Sequence, residues 1–544
     1  MQQQIRSIIN SIEGLPFSLG TWVITYTALV AGRLGIEHVL NDMILQTPGY
    51  YFYQSAHHFF TFLCIFLVIL IATTWLARVK LREAANILTF GFLLIWIPPI
   101  IDEIATHGKG TWSFYAFDSI LGLWQRYLTF FGDQPEIGIT YGIRVEIAIA
   151  VIALGLYTFM KTGNLLRGLF ATWVTYTLFF FLGALPSFVT IALLGWEKGF
   201  LMVSENDIAG LMLSPTALFG LIPPSSLSSL SVKMSLVFAS LDIILIDIIL
   251  FFFFRTYFIA RWKNARIPQV LFHNGLLLLG GALALVYAPG SFAPDLFHGL
   301  ALFISCSSVT LAWLASVVIN DFSDQKIDAL TNPTRPIQSG SIPPDLYQTF
   351  GILFFLASLL LMALVSTQAT IFLAIYQGIA WLYSAPPLRL KRFPLVATGL
   401  ASGASLLILL SGYLVFAAEK SISALPWQIP VFFFIAYTLL IPIKDFKDTP
   451  GDRADGVLTL PVLLGEVRAK HLIGAFYFFF FITSIFIFHL EHLFPLALFY
   501  ATGSYWLLQI SGTGNKYFHY HNLPGWEFVL VASFILFLLR TLIG

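Results

Sequence analysis

Three aspartates and an asparagine crowd the end of one apolar run. Asn320-Asp321-Phe322-Ser323-Asp324-Gln325-Lys326-Ile327-Asp328 follows directly on the stretch Leu296 to Ile319 and leads into Asn332-Pro333-Thr334-Arg335-Pro336. On a helix Asn320, Asp324 and Asp328 fall at i, i+4 and i+8, and Asp321 joins Asp324 and Asp328 at i, i+3 and i+7. All four then face roughly one way. Converging carboxylate and amide oxygens are the donor set of a hard cation such as Mg2+, often completed by substrate phosphates. A solvated helix cap at a bilayer surface would use the same residue types, so this stretch alone does not decide between them.

A second acidic stretch tips the balance. Lys444-Asp445-Phe446-Lys447-Asp448-Thr449-Pro450-Gly451-Asp452-Arg453 follows the apolar run ending at Ile443, and Asp445, Asp448 and Asp452 repeat the i, i+3, i+7 spacing. Pro450 and Gly451 are expected to kink or end the helix there. An aspartate inside hydrocarbon costs about 2.5–3.5 kcal/mol. Six of them must therefore line a wet, cation-filled site or lie outside the hydrocarbon, and two matched clusters favour the metal site. Arg335 follows the first cluster, and Arg389, Lys391 and Arg392 follow Tyr383-Ser384-Ala385-Pro386-Pro387. Carboxylates with their cations, set beside Arg and Lys, are a general way to grip a diphosphate. Basic residues that only anchor the chain at lipid headgroups would look similar.

The elements that must hold these residues are membrane helices. Of 544 residues 58% are hydrophobic and 10% charged, against roughly 25% charged in a soluble domain, so the chain is read as polytopic. Its 29 basic and 28 acidic residues leave no basic excess for a nucleic-acid backbone. Cys64 and Cys306 both lie in apolar runs and offer neither a disulfide framework nor a thiolate metal site. With about 20 apolar residues needed per span, six spans are expected near 17–40, 57–77, 86–106, 138–160, 168–195 and 233–257. The first run, from Phe17 to Leu40, is long for a signal peptide and reads as a span. Nine more are expected near 271–288, 296–319, 346–365, 369–385, 394–417, 427–443, 470–489, 492–510 and 527–543. Trp112, Tyr115, Trp124 and Tyr127 suit an interfacial segment, and 207–224, broken by Pro215, Pro223 and Pro224, reads as re-entrant or interfacial.

Loop charge orients the spans. In the second half fifteen Lys and Arg fall on one side, against Lys420 and Arg540 on the other. The first side is therefore expected to be cytoplasmic, with both acidic clusters on it. The basic linker Arg255, Arg261, Lys263 and Arg266 sets the expected boundary between a module at 1–261 and a domain at 262–544.

Asn320-Asp321-x-x-Asp324-x-x-x-Asp328 with Arg335-Pro336-Ile337-x-Ser339-Gly340 resembles the first aspartate-rich motif of the UbiA-type intramembrane prenyltransferases. Tyr383 to Arg392 resembles the loop after that family's fourth helix. Lys444-Asp445-x-x-Asp448-x-x-Gly451-Asp452-Arg453, followed by Thr459-Leu460-Pro461-Val462, resembles its second motif. The likeness covers about 262–544, and nothing in 1–261 carries it. It implies an all-α bundle of nine membrane helices, preceded here by about six more. It also implies a Mg2+-dependent transfer of a prenyl group from a polyprenyl diphosphate to a lipophilic acceptor, a quinone precursor, lipid or tetrapyrrole. Mg2+ would be held by Asn320, Asp324 and Asp328 on one side and Asp448 and Asp452 on the other. Asp321 and Asp445 would serve as ligands or behind the ligands. Arg335, Tyr383, Arg389 and Lys391 would hold the diphosphate. Asp324, Asp328, Asp448 and Asp452 carry the chemistry on this reading. The wording of the motifs is most like members that make chlorophyll or archaeal-type ether lipids.

Three other functions fit parts of the pattern. A polyprenyl phosphate could attack a sugar diphosphate at the same site, or the prenyl chain could cyclise there. A cation-coupled transporter is disfavoured, because both clusters lie on one face rather than at a midplane between repeats. In the first half, Asp242 and Asp247 read as packing or ion-pair groups. His57 and His58 lack a third ligand at metal spacing, Arg144 and Glu146 read as interfacial, and Asp102-Glu103 reads as a helix end. The first half itself reads as a membrane module that presents an acceptor, binds a partner or stabilises the core.

Overall fold

A backbone in lipid has to satisfy its own hydrogen bonds, so long apolar runs fold as helices. The computed structural model of the chain describes residues 2–40, 48–107, 112–113, 115–133, 137–214, 226–289, 295–417, 421–454, 458–512, 514 and 517–543. Fourteen of the described helices are long and apolar enough to cross a membrane, and the chain is an integral, multi-pass membrane protein. Among the described residues the strands are Trp112–Ser113 and Ile137–Gly138, two residues each and paired in parallel. The architecture is all-α. The expected fifteenth span, Thr367–Ser384, is an 18-residue helix that falls outside the fourteen. Polar Gln368 and Gln377 dilute it, and Gln377 is buried with its amide donating to Ser358 Oγ at 2.8 Å.

The chain divides into two units. One is Met1–Arg261 with Asp295–Ile304, and the other is Trp262–Pro294 with Ser305–Gly544. In the first, the stretch expected as one span at 168–195 is two helices, Leu165–Gly183 and Leu185–Lys198. Pro186 cannot continue a helix from before it but suits the first turn of a new one. The third span, Leu81–Thr106, passes through a 3-10 stretch at Phe92–Trp96 before Pro98 and Pro99. Asp102, read from sequence as a helix end, is buried and holds the start of helix Tyr141–Thr162. Its Oδ1 accepts from the Gly142 amide and its Oδ2 from Thr140 Oγ1, both at 2.7 Å. Asp247 pairs with Arg261 at 2.8 Å. Asp242 is buried with neither carboxyl oxygen partnered among the described residues. In the expected interfacial segment, Trp124 is exposed while the Tyr127 hydroxyl meets Thr177 Oγ1 at 2.8 Å. Of the expected re-entrant stretch, Glu205–Leu213 is helical, and Pro215, Pro223 and Pro224 lie outside the described residues.

In the second unit the tightest crossing is between helices Ile267–Tyr287 and Pro394–Phe416. A Cβ on Gly280 would stand 1.8 Å from the Leu409 carbonyl oxygen, and one on Gly412 would stand 1.9 Å from the Leu277 oxygen. Glycine at both positions lets the backbones meet, as small residues do in membranes generally. Gly280→Ala is therefore expected to lower stability by about 1–3 kcal/mol, the usual cost of overpacking. Unfolding of the detergent-solubilised protein by denaturant or heat checks this, and an unchanged transition would mean that the crossing can open freely.

Candidate active site

The apolar helix Leu296–Ser323 stops at Ser323, and a second helix, Gln325–Thr331, restarts after Asp324. The break keeps the helical register. The Asp324 amide donates to the Asn320 carbonyl, Asp328 to Asp324 and Asn332 to Asp328, at 2.9, 2.9 and 2.8 Å. Asn320, Asp324, Asp328 and Asn332 thus follow one another a turn apart. Asn332 extends the series by one more step of four, a signal that was present in the spacing and not taken up.

Asp321 leaves that row. It is fully buried (0% exposed). Its Oδ2 accepts from Asn264 Nδ2 and the Tyr347 hydroxyl, both at 2.8 Å, and its Oδ1 from Arg335 at 3.2 Å and Arg266 at 3.3 Å. A carboxylate has about four lone-pair sites, and four donors fill them. Of the two roles expected for Asp321, ligand or support behind the ligands, these contacts suit the second: it anchors Arg335 and Arg266. Asn264, Arg266 and Tyr347 were not found as site residues from sequence. They lie 26 to 57 residues from Asp321 and carry no motif of their own.

Asp324 and Asp328 are held by cations. Arg389 reaches Asp324 Oδ1 at 2.5 Å, Lys391 reaches Oδ2, and Asn320 Nδ2 donates to that same Oδ2 at 2.9 Å. Arg335 pairs with Asp328 Oδ2, and Asn332 Nδ2 donates to Oδ1 at 3.1 Å. Asn320 also approaches Ser384 Oγ at 3.4 Å, which ties the end of helix Thr367–Ser384, and with it half-buried Tyr383, to the first motif. Arg389 has φ +43° and Arg266 φ +53°, both left-handed. Three aspartates here face four cations, Arg266, Arg335, Arg389 and Lys391.

The second acidic stretch folds differently from expectation. Ile441–Phe446 is a 3-10 helix, a turn follows, and Thr449–Ala454 is a new helix. Pro450 lies in its first turn, so it helps start a helix rather than end one. The Asp448 amide donates to the Asp445 carbonyl at 3.1 Å, an i to i+3 bond that brings side chains three apart onto one side. Asp445 is half-buried and Asp448 exposed; the side chain of Asp452 lies outside the described residues. Among the described residues no three acidic, histidine or cysteine side chains gather closely enough to hold a metal ion. Among the described residues the three carboxylates of the first motif are interleaved with basic side chains. Carboxylates repel when nothing positive separates them, and the chain's own Arg and Lys supply that charge. The donor set still fits a hard cation. Asp324 and Asp328 present oxygen ligands, and neither has all four lone-pair sites filled by the donors above.

Residues 276–516 match the UbiA prenyltransferase family model. These residues, somewhat under half of the chain, are similar to that family. The digeranylgeranylglyceryl phosphate synthase of Methanospirillum hungatei is 34% identical over 197 residues, 35% of this chain and 64% of its own length. The bacteriochlorophyll synthase 33 kDa chain of Cereibacter sphaeroides is 34% identical over 28% of this chain and 52% of its own. The chloroplastic chlorophyll synthase of Arabidopsis thaliana is 34% identical over 29% and 42%. The matched part thus spans about two fifths to two thirds of these relatives. A UbiA homologue from Archaeoglobus fulgidus, solved with DMAPP and Mg2+, is 19% identical over 51% of this chain and 98% of that one, with a TM-score of 0.40. Arg335, Arg389, Lys391 and the first-motif aspartates lie inside the matched residues, and Arg266 precedes them.

Proposed function

We propose that the chain transfers a prenyl group from a polyprenyl diphosphate to a lipophilic acceptor, releasing diphosphate, with 262–544 as the transferase domain and its site on the cytoplasmic face of the membrane. The observation that carries this reading is the interleaving of Asp324 and Asp328 with Arg335, Arg389 and Lys391. The basic side chains suit diphosphate oxygens and the aspartates suit the accompanying cations. Four basic side chains against Asp321, Asp324 and Asp328 leave one positive charge over, Asp448 and Asp452 reverse it, and a diphosphate bound there would need divalent cations to balance it. Mg2+ on Asp324, Asp328, Asp448 and Asp452 would act as a Lewis acid, stabilising the charge that grows on the leaving group. Arg335, Arg389 and Lys391 would turn from Asp328 and Asp324 to the diphosphate oxygens, and Tyr383 would help orient the diphosphate. The allylic carbon–oxygen bond breaks with its electron pair going to diphosphate, and the acceptor's carbon or oxygen bonds to the allylic carbon and sheds a proton. Buried Asp321 keeps Arg335 aimed throughout.

The test is diphosphate release from labelled geranylgeranyl diphosphate in membranes carrying the full chain. Release is expected with Mg2+ and a lipid or tetrapyrrole acceptor and is expected to vanish with EDTA. Release that stays at background with every acceptor, in wild type and Asp324→Ala alike, ends the reading.

Lys391 sets a pH limit. Burial pulls its ammonium below the ordinary lysine range, and Asp324 pulls the other way. The charge is present below this lowered pKa and lost above it. Diphosphate binding is therefore expected to weaken on the alkaline side sooner than an ordinary lysine would allow. Lys391→Arg should shift that alkaline limb of the KM profile upward, because guanidinium stays charged. Identical limbs in the two proteins would remove Lys391 from the diphosphate contacts.

A further inference from the structure

The first unit holds polar groups that the proposed transfer does not use, arranged around a cavity of about 340 Å3. Small-molecule sites have volumes of about 300–1,000 Å3. Arg33 and Glu37 come from the last part of helix Leu19–Leu40, His57 and His58 from the first part of Pro48–Ala77, and Glu146 from the first turns of Tyr141–Thr162. Successive spans alternate in direction, so these helix ends share one side of the unit. Ile69, Leu88 and Leu154 line the cavity further along. From His57 to Ile69 is about 18 Å of helix. One end of the cavity is polar, and the body beyond it is apolar.

The polar end is built and incompletely satisfied. His57 Nε2 meets the Tyr115 hydroxyl at 2.6 Å, and His58 Nδ1 meets the Gln54 carbonyl at 2.8 Å. The Gln54 side-chain oxygen is buried with no partner among the described residues. Glu146 borders the cavity from the start of helix Tyr141–Thr162. Among the described lining residues the cation is Arg33, and Glu37 neutralises it at 2.9 Å. An anionic head such as a phosphate finds no uncompensated positive charge here and meets Glu146. An uncharged head with hydroxyl or carbonyl oxygens finds donors and acceptors. We propose that this cavity binds an amphipathic molecule of that kind, a long-chain alcohol or a quinone, with its head among His57, Gln54 and Glu146 and its apolar body along the helices.

The experiment uses the full chain in lipid nanodiscs with two tritiated probes, geranylgeraniol and a decyl-tailed benzoquinone. Saturable binding of at least one probe, about one molecule per chain, is expected. The probe that binds more tightly names the head: hydroxyl for the alcohol, carbonyl for the quinone. His57→Leu and Glu146→Gln should each weaken it, by up to about tenfold for a lost hydrogen bond. Ala150→Phe, which fills the cavity one turn beyond Glu146, should abolish it. Asp324→Asn and added inorganic diphosphate should leave it unchanged, so failure here and failure of the transferase reading are separate results. A thermal transition within the wild-type range certifies each variant, and if Ala150→Phe does not fold, the two polar-end variants decide. The proposal is overturned if neither probe saturates, if His57→Leu and Glu146→Gln both bind as wild type, or if inorganic diphosphate displaces the probe.

Discussion

Asp324→Asn is expected to leave the chain folded and to lower diphosphate release about 10²–10³-fold. That range is the usual loss when one preorganised electrostatic group is removed from a reacting centre. The argument rests on position. Asp324 sits at the break between two helices, where it shapes little of the core, yet it meets Arg389, Lys391 and Asn320 at once. Asparagine keeps the shape and the bond from Asn320, and it loses the charge that a cation and two basic side chains require. Release per folded molecule is the measurement, with the thermal transition recorded beside it. A variant that folds and turns over at the wild-type rate removes Asp324 from the chemistry and with it the centre of the proposed mechanism.

Asp321→Ala is expected to do the reverse. Removing one member of a buried charged network costs about 3–5 kcal/mol, and here the lower end applies. Arg335 keeps Asp328 as a partner, and the Arg266 side chain is 30% exposed. The loss also strands Asn264 and Tyr347, which meet at 2.7 Å and both donate to the missing carboxylate. The expected result is a clear fall in the unfolding midpoint and in yield. The molecules that do fold should retain a measurable part of their release activity, because no substrate contact is removed. Full stability with abolished release would return Asp321 to the ligands, where its spacing alone had put it.

These two aspartates, three residues apart, mark the line between what was legible and what was not. Asn320, Asp324 and Asp328 could be read as a row because a step of four survives a local helix break. Asp321 could not be separated from them, because periodicity names a face but not the residues waiting against it. Asn264, Arg266 and Tyr347 arrive from other helices. Eight of the nine runs expected in the second half are helices long and apolar enough to span, and the ninth, Thr367–Ser384, is a helix diluted by its two glutamines. The break at Pro186 was written in the sequence and was overridden by the apolar run around it. The cavity of the first unit was out of reach. Glu146 reads as interfacial, His57 as a histidine short of a third ligand, and Glu37 carries no signal, until antiparallel packing brings three helix ends together.

Arg266 and Arg389 occupy backbone conformations that suit glycine, at a cost on the order of 1–3 kcal/mol each. At Arg266 that relief is outweighed by the partner that fully buried Asp321 would lose. At Arg389 the balance differs, because Asp324 keeps Lys391 when the guanidinium goes. A laboratory search for hardier versions of this protein would thus be drawn to glycine at Arg389, and selection on heat alone would drift toward a well-folded chain with a weakened site.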